Sequence, residues 1–181
     1  MITNSLEIEK KAAMVVAELM VAAARTAPKG CGIDNLELLI VDGKEKDEIS
    51  AELRKITKET GVDFFGRDAG NLEASHVVVL LGTKIGPIDC PNCGYCGYKD
   101  CTENRMNNGI CSFNTGDLGI AIGSAVSVAA NHRIDNRVLF SAGRAAINLG
   151  YFSEEIEVAY AIPLSISGKS PFFDRTESEE I

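Results

Sequence analysis

A chain of 181 residues with 45% apolar side chains fits one globular domain with a substantial core, and excludes global disorder. The formal net charge of −8 and a pI of about 4.8 argue against nucleic acid or an anionic membrane surface as partner, because both need a basic patch. Positions 1–11 lack a basic stretch followed by an apolar run, and the most apolar later stretch, 118–130, is too short to span a bilayer, so a soluble cytoplasmic protein is expected.

The first expected element is a helix over 5–25. Asn4 with Glu7 three residues later fits a capping box, and Val15, Val16, Leu19 and Met20 form an apolar stripe that ends before Pro28 and Gly30. Residues 36–41 follow as a buried strand, then an Asp42-Gly43 turn and a helix over 47–60 with Gly61 as its stop. The stretch 62–75 is expected to be irregular. Residues 76–81, HVVVLL, form a buried strand. The segment 82–114 has little periodicity, and a loop this long inside a compact domain is functional or independently organised. A buried helix over 117–131, a shorter helix over 141–149 and a strand over 158–164 complete the chain, with a polar, frayed tail ending at 177–180. This order suggests an α/β or α+β domain with a central sheet.

Five of the six cysteines fall between positions 90 and 111, spaced C-x2-C-x2-C-x4-C-x9-C. A dense C-x2-C-x2-C run lets a tight loop wrap a cubane cluster held by four thiolates, and Gly94 and Gly97 let backbone amides approach its sulfides. Structural zinc sites more often use two C-x2-C knuckles with a longer spacer, so zinc is the competing reading, and free thiols or disulfides a lesser one. Cys93-Gly-Tyr-Cys96-Gly-Tyr-Lys-Asp-Cys101, with Cys111 downstream, resembles a C-x2-C-G-x3-C four-iron motif of corrinoid and electron-transfer proteins. That likeness makes Cys93, Cys96, Cys101 and Cys111 the preferred ligands. Cys90 is then an extra thiol, a replacement ligand or a loop residue with no role. Tyr95 and Tyr98 alternate with the ligands and are expected to shield the cluster from water.

Other residues carry weaker signals. Cys31 is either a small buried hydrophobe or a redox-active thiol near a cofactor. His76 is expected at a strand end or in the core and His132 at a helix end, with no spacing that would make a histidine metal site. There is no G-x-S-x-G, Walker or G-x-G-x-x-G stretch. Gly119, Gly123 and Ser127 stand four apart and suit close helix packing.

Taken with its flanks, the cysteine segment resembles a family of prokaryotic proteins described as containing a ferredoxin domain. The likeness is carried by Asp117-Leu-Gly-Ile-Ala-Ile-Gly-Ser-Ala-Val126, Ile134-Asp-Asn-Arg-Val-Leu-Phe-Ser-Ala-Gly143 and Ser170-Pro-Phe-Phe-Asp-Arg175. A more distant resemblance is to nitroreductases, through Ala22-Ala-Ala-Arg-Thr-Ala-Pro-Lys-Gly30 with Asn35, and through Leu149-Gly-Tyr151 with Val158-Ala-Tyr-Ala-Ile-Pro163. No Arg-Arg-Ser-type phosphate-gripping motif accompanies it. The resemblance implies an α+β, three-layer nitroreductase-like domain over 1–181 with a central sheet. It also implies an inserted cysteine-rich iron–sulfur segment over 86–114, a homodimer built on the helix after Asp117, and FMN as a second cofactor.

A flavin phosphate needs cations, and Arg25, Lys29 and Lys169 are the candidates, each otherwise an ordinary surface charge. Three functions are therefore expected in competition. One is a 4Fe–4S, flavin-dependent oxidoreductase taking electrons from a redox partner protein or a small-molecule donor. The second is a ferredoxin-like electron-transfer or sensing module without flavin. The third is a structural zinc protein acting through interactions.

Overall fold

The computed structural model describes residues 2–173; the expected polar tail at 177–180, with Asp174 and Arg175, lies outside the described residues. Helix α1 (Ser5–Thr26) starts at Asn4, whose side chain accepts from the Glu7 N–H at 3.0 Å. Strand β1 (Leu36–Val41) leads into helix α2 (Gly43–Thr60), which stops at Gly61 in the left-handed region, φ 72°. Helix α3 (Asp63–Glu73) and strand β2 (Val77–Lys84) follow. After the cysteine segment come α5 (Ser112–Asn131), the two-residue β3 (Asp135–Asn136), α6 (Phe140–Asn148) and β4 (Ile156–Ser165). Inside that segment lies one short helix, α4 (Cys101–Met106).

Four strands form one antiparallel sheet in the order β1-β2-β4-β3, with Val79 opposite Ile40 and Ile162. Successive side chains of a strand point to opposite faces. Val77, Val79 and Leu81 enter one core, with Ala17 and Met20 of α1 and Leu118, Ala121 and Ala125 of α5. Val78 and Leu80 enter the other, with Ile49 and Leu53 of α2, Leu72 of α3 and Ala142 and Ala145 of α6. Burial on both faces explains why β2 is apolar throughout instead of alternating. Each such side chain contributes roughly 1.5–3 kcal/mol on removal from water. The result is the expected three-layer α+β architecture.

The stretch 62–75 is the main correction. It was expected to be irregular, because Gly66 and Gly70 each disfavour a helix by about 1 kcal/mol relative to alanine. The helix forms because tertiary contacts outweigh that cost. Phe64 and Phe65 stack on each other and pack beside Phe140, and the Ser50 hydroxyl donates to the Ala69 carbonyl at 3.1 Å. The buried Ser141 hydroxyl donates to Asp68 at 2.5 Å, and Arg67 pairs with the same carboxylate. Gly43 also begins α2 where a free turn was expected, and α5 starts at Ser112, five residues before the expected 117. Among the described residues no helix is long and apolar enough to cross a membrane.

Candidate functional site

The cysteine segment leaves the end of β2 and returns at the start of α5. It is wound by five residues with positive φ, Asp89, Asn92, Gly94, Gly97 and Asn108, of which the two glycines tolerate this conformation without strain. The Gly97 N–H closes a turn onto the Gly94 carbonyl at 3.0 Å, and the Tyr95 N–H points at Cys93 Sγ, 3.5 Å away. Cys101 opens α4, capped by Asp100, whose side chain accepts from the Glu103 N–H at 2.9 Å. Glu103 in turn accepts from the Lys99 N–H at 2.6 Å. Arg105 ties α4 back to the segment's start through Asp89 at 2.5 Å and the Pro87 carbonyl at 3.3 Å. The hydrogen bond from Arg105 holds the Asp89 carboxyl below its usual range.

These local structures gather all five clustered cysteines, Cys90, Cys93, Cys96, Cys101 and Cys111, into the lining of one cavity of about 440 Å³. Cys111 is buried at 7% exposure and forms the N-cap of α5; the other four are half-buried. Asn104 also lines the cavity, 1% exposed, and its Oδ1 has no hydrogen-bond partner. Among the described residues no three His, Cys, Asp or Glu side chains are arranged to hold a single metal ion.

Tyr98 lines this cavity as expected, but Tyr95 does not shield it. Its ring is 78% exposed and lies over Phe113 with centroids 6.1 Å apart. A residue between two glycines of positive φ is carried on the outside of the loop.

The sixth cysteine is closer to this site than its place in the sequence suggests. Cys31 lies in the short turn Gly30–Gly32 with φ 54°, and it is exposed, not buried among apolar side chains. The Gly30 N–H donates to both oxygens of the buried Asp117 carboxylate, at 3.1 and 3.0 Å. A Cβ on Gly30 would stand 2.7 Å from the Phe113 ring and 2.9 Å from Ile88, so any larger residue would force those side chains to shift. Burial pushes the Cys90 thiol above its ordinary pKa, and the neighbouring Cys31 and Cys93 thiols push it further. Spacing alone could not reveal Asp117 or Cys31 as parts of this site. The only sequence signal was the pair of glycines around Cys31.

The three candidate cations are not gathered at this cavity's lining. Arg25 contacts Asp34 at 2.5 Å and the Leu36 carbonyl at 3.1 Å, and hydrogen bonding to Arg25 helps hold the Asp34 carboxyl below its usual range despite partial burial. The Lys29 ammonium donates to the carbonyls of Arg25 and Ala27 at 2.6 and 2.7 Å, where a cation complements the helix C-terminus. Lys169 is exposed in the turn after β4. His76 Nε2–H donates to the Ile166 carbonyl at 3.2 Å, and His132 is the C-cap of α5, the two places expected for them.

Residues 107–175 match the family model described as "Uncharacterized protein containing a ferredoxin domain" (DUF2148). A protein of Archaeoglobus fulgidus, itself described as uncharacterized, is 37% identical over 97% of this chain and 98% of its own length. Solved structures show the same fold at low identity. A BluB-like flavoprotein from Clostridium difficile 630 is 18% identical, with a TM-score of 0.55 over 92% of this chain and 84% of that one. The FMN-dependent nitroreductase NfnB from Mycobacterium smegmatis, solved with NADPH, is 12% identical, with a TM-score of 0.60 over 88% of this chain and 81% of that one. The fold is therefore nitroreductase-like.

Proposed function

The chain belongs to the family of uncharacterized proteins containing a ferredoxin domain, and from that premise we propose that it is a 4Fe–4S redox protein using Cys93, Cys96, Cys101 and Cys111 as ligands. The observation that carries this reading is the single cavity faced by every thiol of the segment. Its residues fit such a group. A peptide N–H already points at Cys93 Sγ, and the buried Asn104 in the cavity lining, whose Nδ2 donates to the Ile110 carbonyl, leaves its Oδ1 without a hydrogen-bond partner. When bound, a 4Fe–4S cluster supplies one-electron chemistry at a potential set by hydrogen bonds and solvent exposure. The chain's part is to hold four thiolates, donate hydrogen bonds to sulfur and limit water. Half-buried Cys93 and Cys96 on the outer loop leave a short path to a redox partner protein or small-molecule donor. A cytoplasmic setting belongs to the same proposal, since clustered thiols persist there in reduced form.

A flavin-dependent oxidoreductase is the second reading, favoured by the likeness of the fold to FMN-dependent nitroreductases. Arg25 and Lys29 fit a phosphate poorly, because Arg25 is engaged by Asp34 and the Leu36 carbonyl and Lys29 by the carbonyls of Arg25 and Ala27; Lys169 is the remaining candidate. A homodimer is part of the proposal too. The outward face of α5 carries Gly116, Gly119 and Gly123 with open space where a Cβ would stand, and Ile120 beside them is 49% exposed. A second copy of the same helix would cover that face.

Anaerobic purification followed by a visible spectrum and assays of iron, acid-labile sulfide and flavin tests both readings. Four iron and four sulfide per chain support the cluster, and flavin in addition supports the oxidoreductase. Zinc alone, from cells grown anaerobically with ample iron, would overturn both.

A further inference from the structure

Tyr95 stands between two proposed ligands, Cys93 and Cys96, yet it lies outside the cavity lining to which both belong. Its backbone is held firmly. Gly94 and Gly97, both with positive φ, close a turn through the Gly97 N–H and the Gly94 carbonyl at 3.0 Å. Tyr95 and Cys96 are the central residues of that turn, where glycine, asparagine, aspartate and serine dominate. The Tyr95 N–H is directed at Cys93 Sγ, 3.5 Å away. The residue itself stays 78% exposed.

The ring rests on a floor. It stacks on Phe113, with centroids 6.1 Å apart and planes inclined by 24°. Phe113 lines the thiol cavity and is backed by Gly30, whose N–H is tied to Asp117. With Phe113 braced from behind, one face of Tyr95 is covered and the opposite face is open to solvent. A planar aromatic molecule extends such a pair in the offset geometry that aromatic rings prefer. The face of the ring attracts cations, and the net charge of −8 draws them in the same direction.

We propose that the outer face of Tyr95 is the docking platform for a small, cationic, planar heteroaromatic carrier of single electrons. The reduced carrier stacks on the ring, beside the loop that bears Cys93 and Cys96. It gives up one electron to the centre held by the thiols and leaves in its oxidised form; no bond forms or breaks. The chain's part is to bind the carrier's ring and to bring it next to two of the four thiolates. The destination of the electron rests on the four-thiolate reading, whereas the stacking on Tyr95 does not.

The test uses methyl viologen, a bipyridinium cation, on the full chain prepared anaerobically, with iron and sulfide assayed on each sample. Calorimetry measures binding of the oxidised form. Stopped-flow absorbance follows reduction of the protein by the reduced form, with dithionite, an anion without a ring, as the control. Tyr95→Leu is expected to weaken binding and to slow reduction by viologen ~3-fold or more, while Tyr95→Phe keeps both. Reduction by dithionite should stay at the wild-type rate in both variants. Tyr95→Leu protein that binds viologen and is reduced by it as the wild type is would overturn the platform. Equal slowing with dithionite would overturn it too, by making the ring a structural part of the loop. So would a Tyr95→Phe protein as impaired as Tyr95→Leu, which would assign the effect to the hydroxyl. Failure of the cluster reading registers separately, as wild-type protein without iron; the dependence of viologen binding on Tyr95 then decides the platform alone.

Discussion

Alanine at position 143 opposes two effects whose sizes can be compared. Gly143 lies inside α6, where alanine is favoured over glycine by about 0.8–1.0 kcal/mol of helix propensity. A Cβ at that position, however, would stand 2.1 Å from the Ala159 carbonyl oxygen, 2.3 Å from its carbon and 2.5 Å from the Tyr160 nitrogen. These are backbone atoms of β4, held in the ladder by pairing with β2, so no side chain can swing aside. The helix must lift off the sheet by more than an ångström, which opens the core that Ala142 and Ala145 share with Ala161. Overpacking typically costs ~1–3 kcal/mol and more when backbone must move. With unyielding backbone the cost lies at the upper end of that range, so the clash wins and Gly143→Ala is expected to lose ~1–2 kcal/mol net, a fall in Tm of about 2–8 °C for a domain of this size. Urea titration and calorimetry read this directly. A variant as stable as the wild type would refute the reasoning, because it would mean that α6 sits further from β4 than the structure places it. Iron per folded chain should not change, since α6 covers the sheet face opposite α1 and α5.

Serine at Cys93, Cys96, Cys101 or Cys111 is expected to abolish bound iron and sulfide while Cys90→Ser retains them; full iron in Cys111→Ser would sink the ligand assignment. Asp117→Ala removes both acceptors of the Gly30 N–H and should cost ~1–3 kcal/mol. Hydrogen exchange at the Gly30 amide should then accelerate, and unchanged protection would count against the anchor. Glu73 titrates below its ordinary value because Arg54 hydrogen-bonds to its carboxylate. The resulting stability is present above the unfolded carboxyl pKa of about 4.3 and is lost as pH falls through the lower folded value. Glu73→Gln should therefore narrow the stability difference between about pH 6 and pH 3, within the ~0–1 kcal/mol of an exposed pair. Urea midpoints at the two pH values check it, and an unchanged difference would show that the pair contributes nothing.

Elements whose signal is local were legible in the sequence. The Asn4 cap, the Gly61 stop and the apolar run of β2 each depend on residues within a few positions, and each lies where expected. Helix α3 was not legible, because its two glycines argue against it and the contacts that outweigh them, from Ser50, Ser141 and Phe140, are distant in the chain. The same distinction divides the site. Cys90 to Cys111 announced themselves by spacing. Cys31 and Asp117 joined them only through a fit between Gly30, Ile88 and Phe113 that no periodicity encodes. Arg25 and Lys29 show the converse. Their charge is visible in the sequence, but the carboxylate and carbonyls that engage them are not.

Cys111 is both a wall of the thiol cavity and the residue from which α5 departs. That helix runs for 20 residues, about 30 Å, through the packing of α1 and the sheet to His132. A rod anchored at one end transmits what happens there. Whatever fixes the Cys111 sulfur also fixes the first turn of the helix against fraying, and so adds its binding free energy to the folding of the sheet face beneath. On this view the cavity is a keystone as much as a site: occupancy at the rim is registered as rigidity in the middle of the molecule, along the helix face that a second subunit would meet.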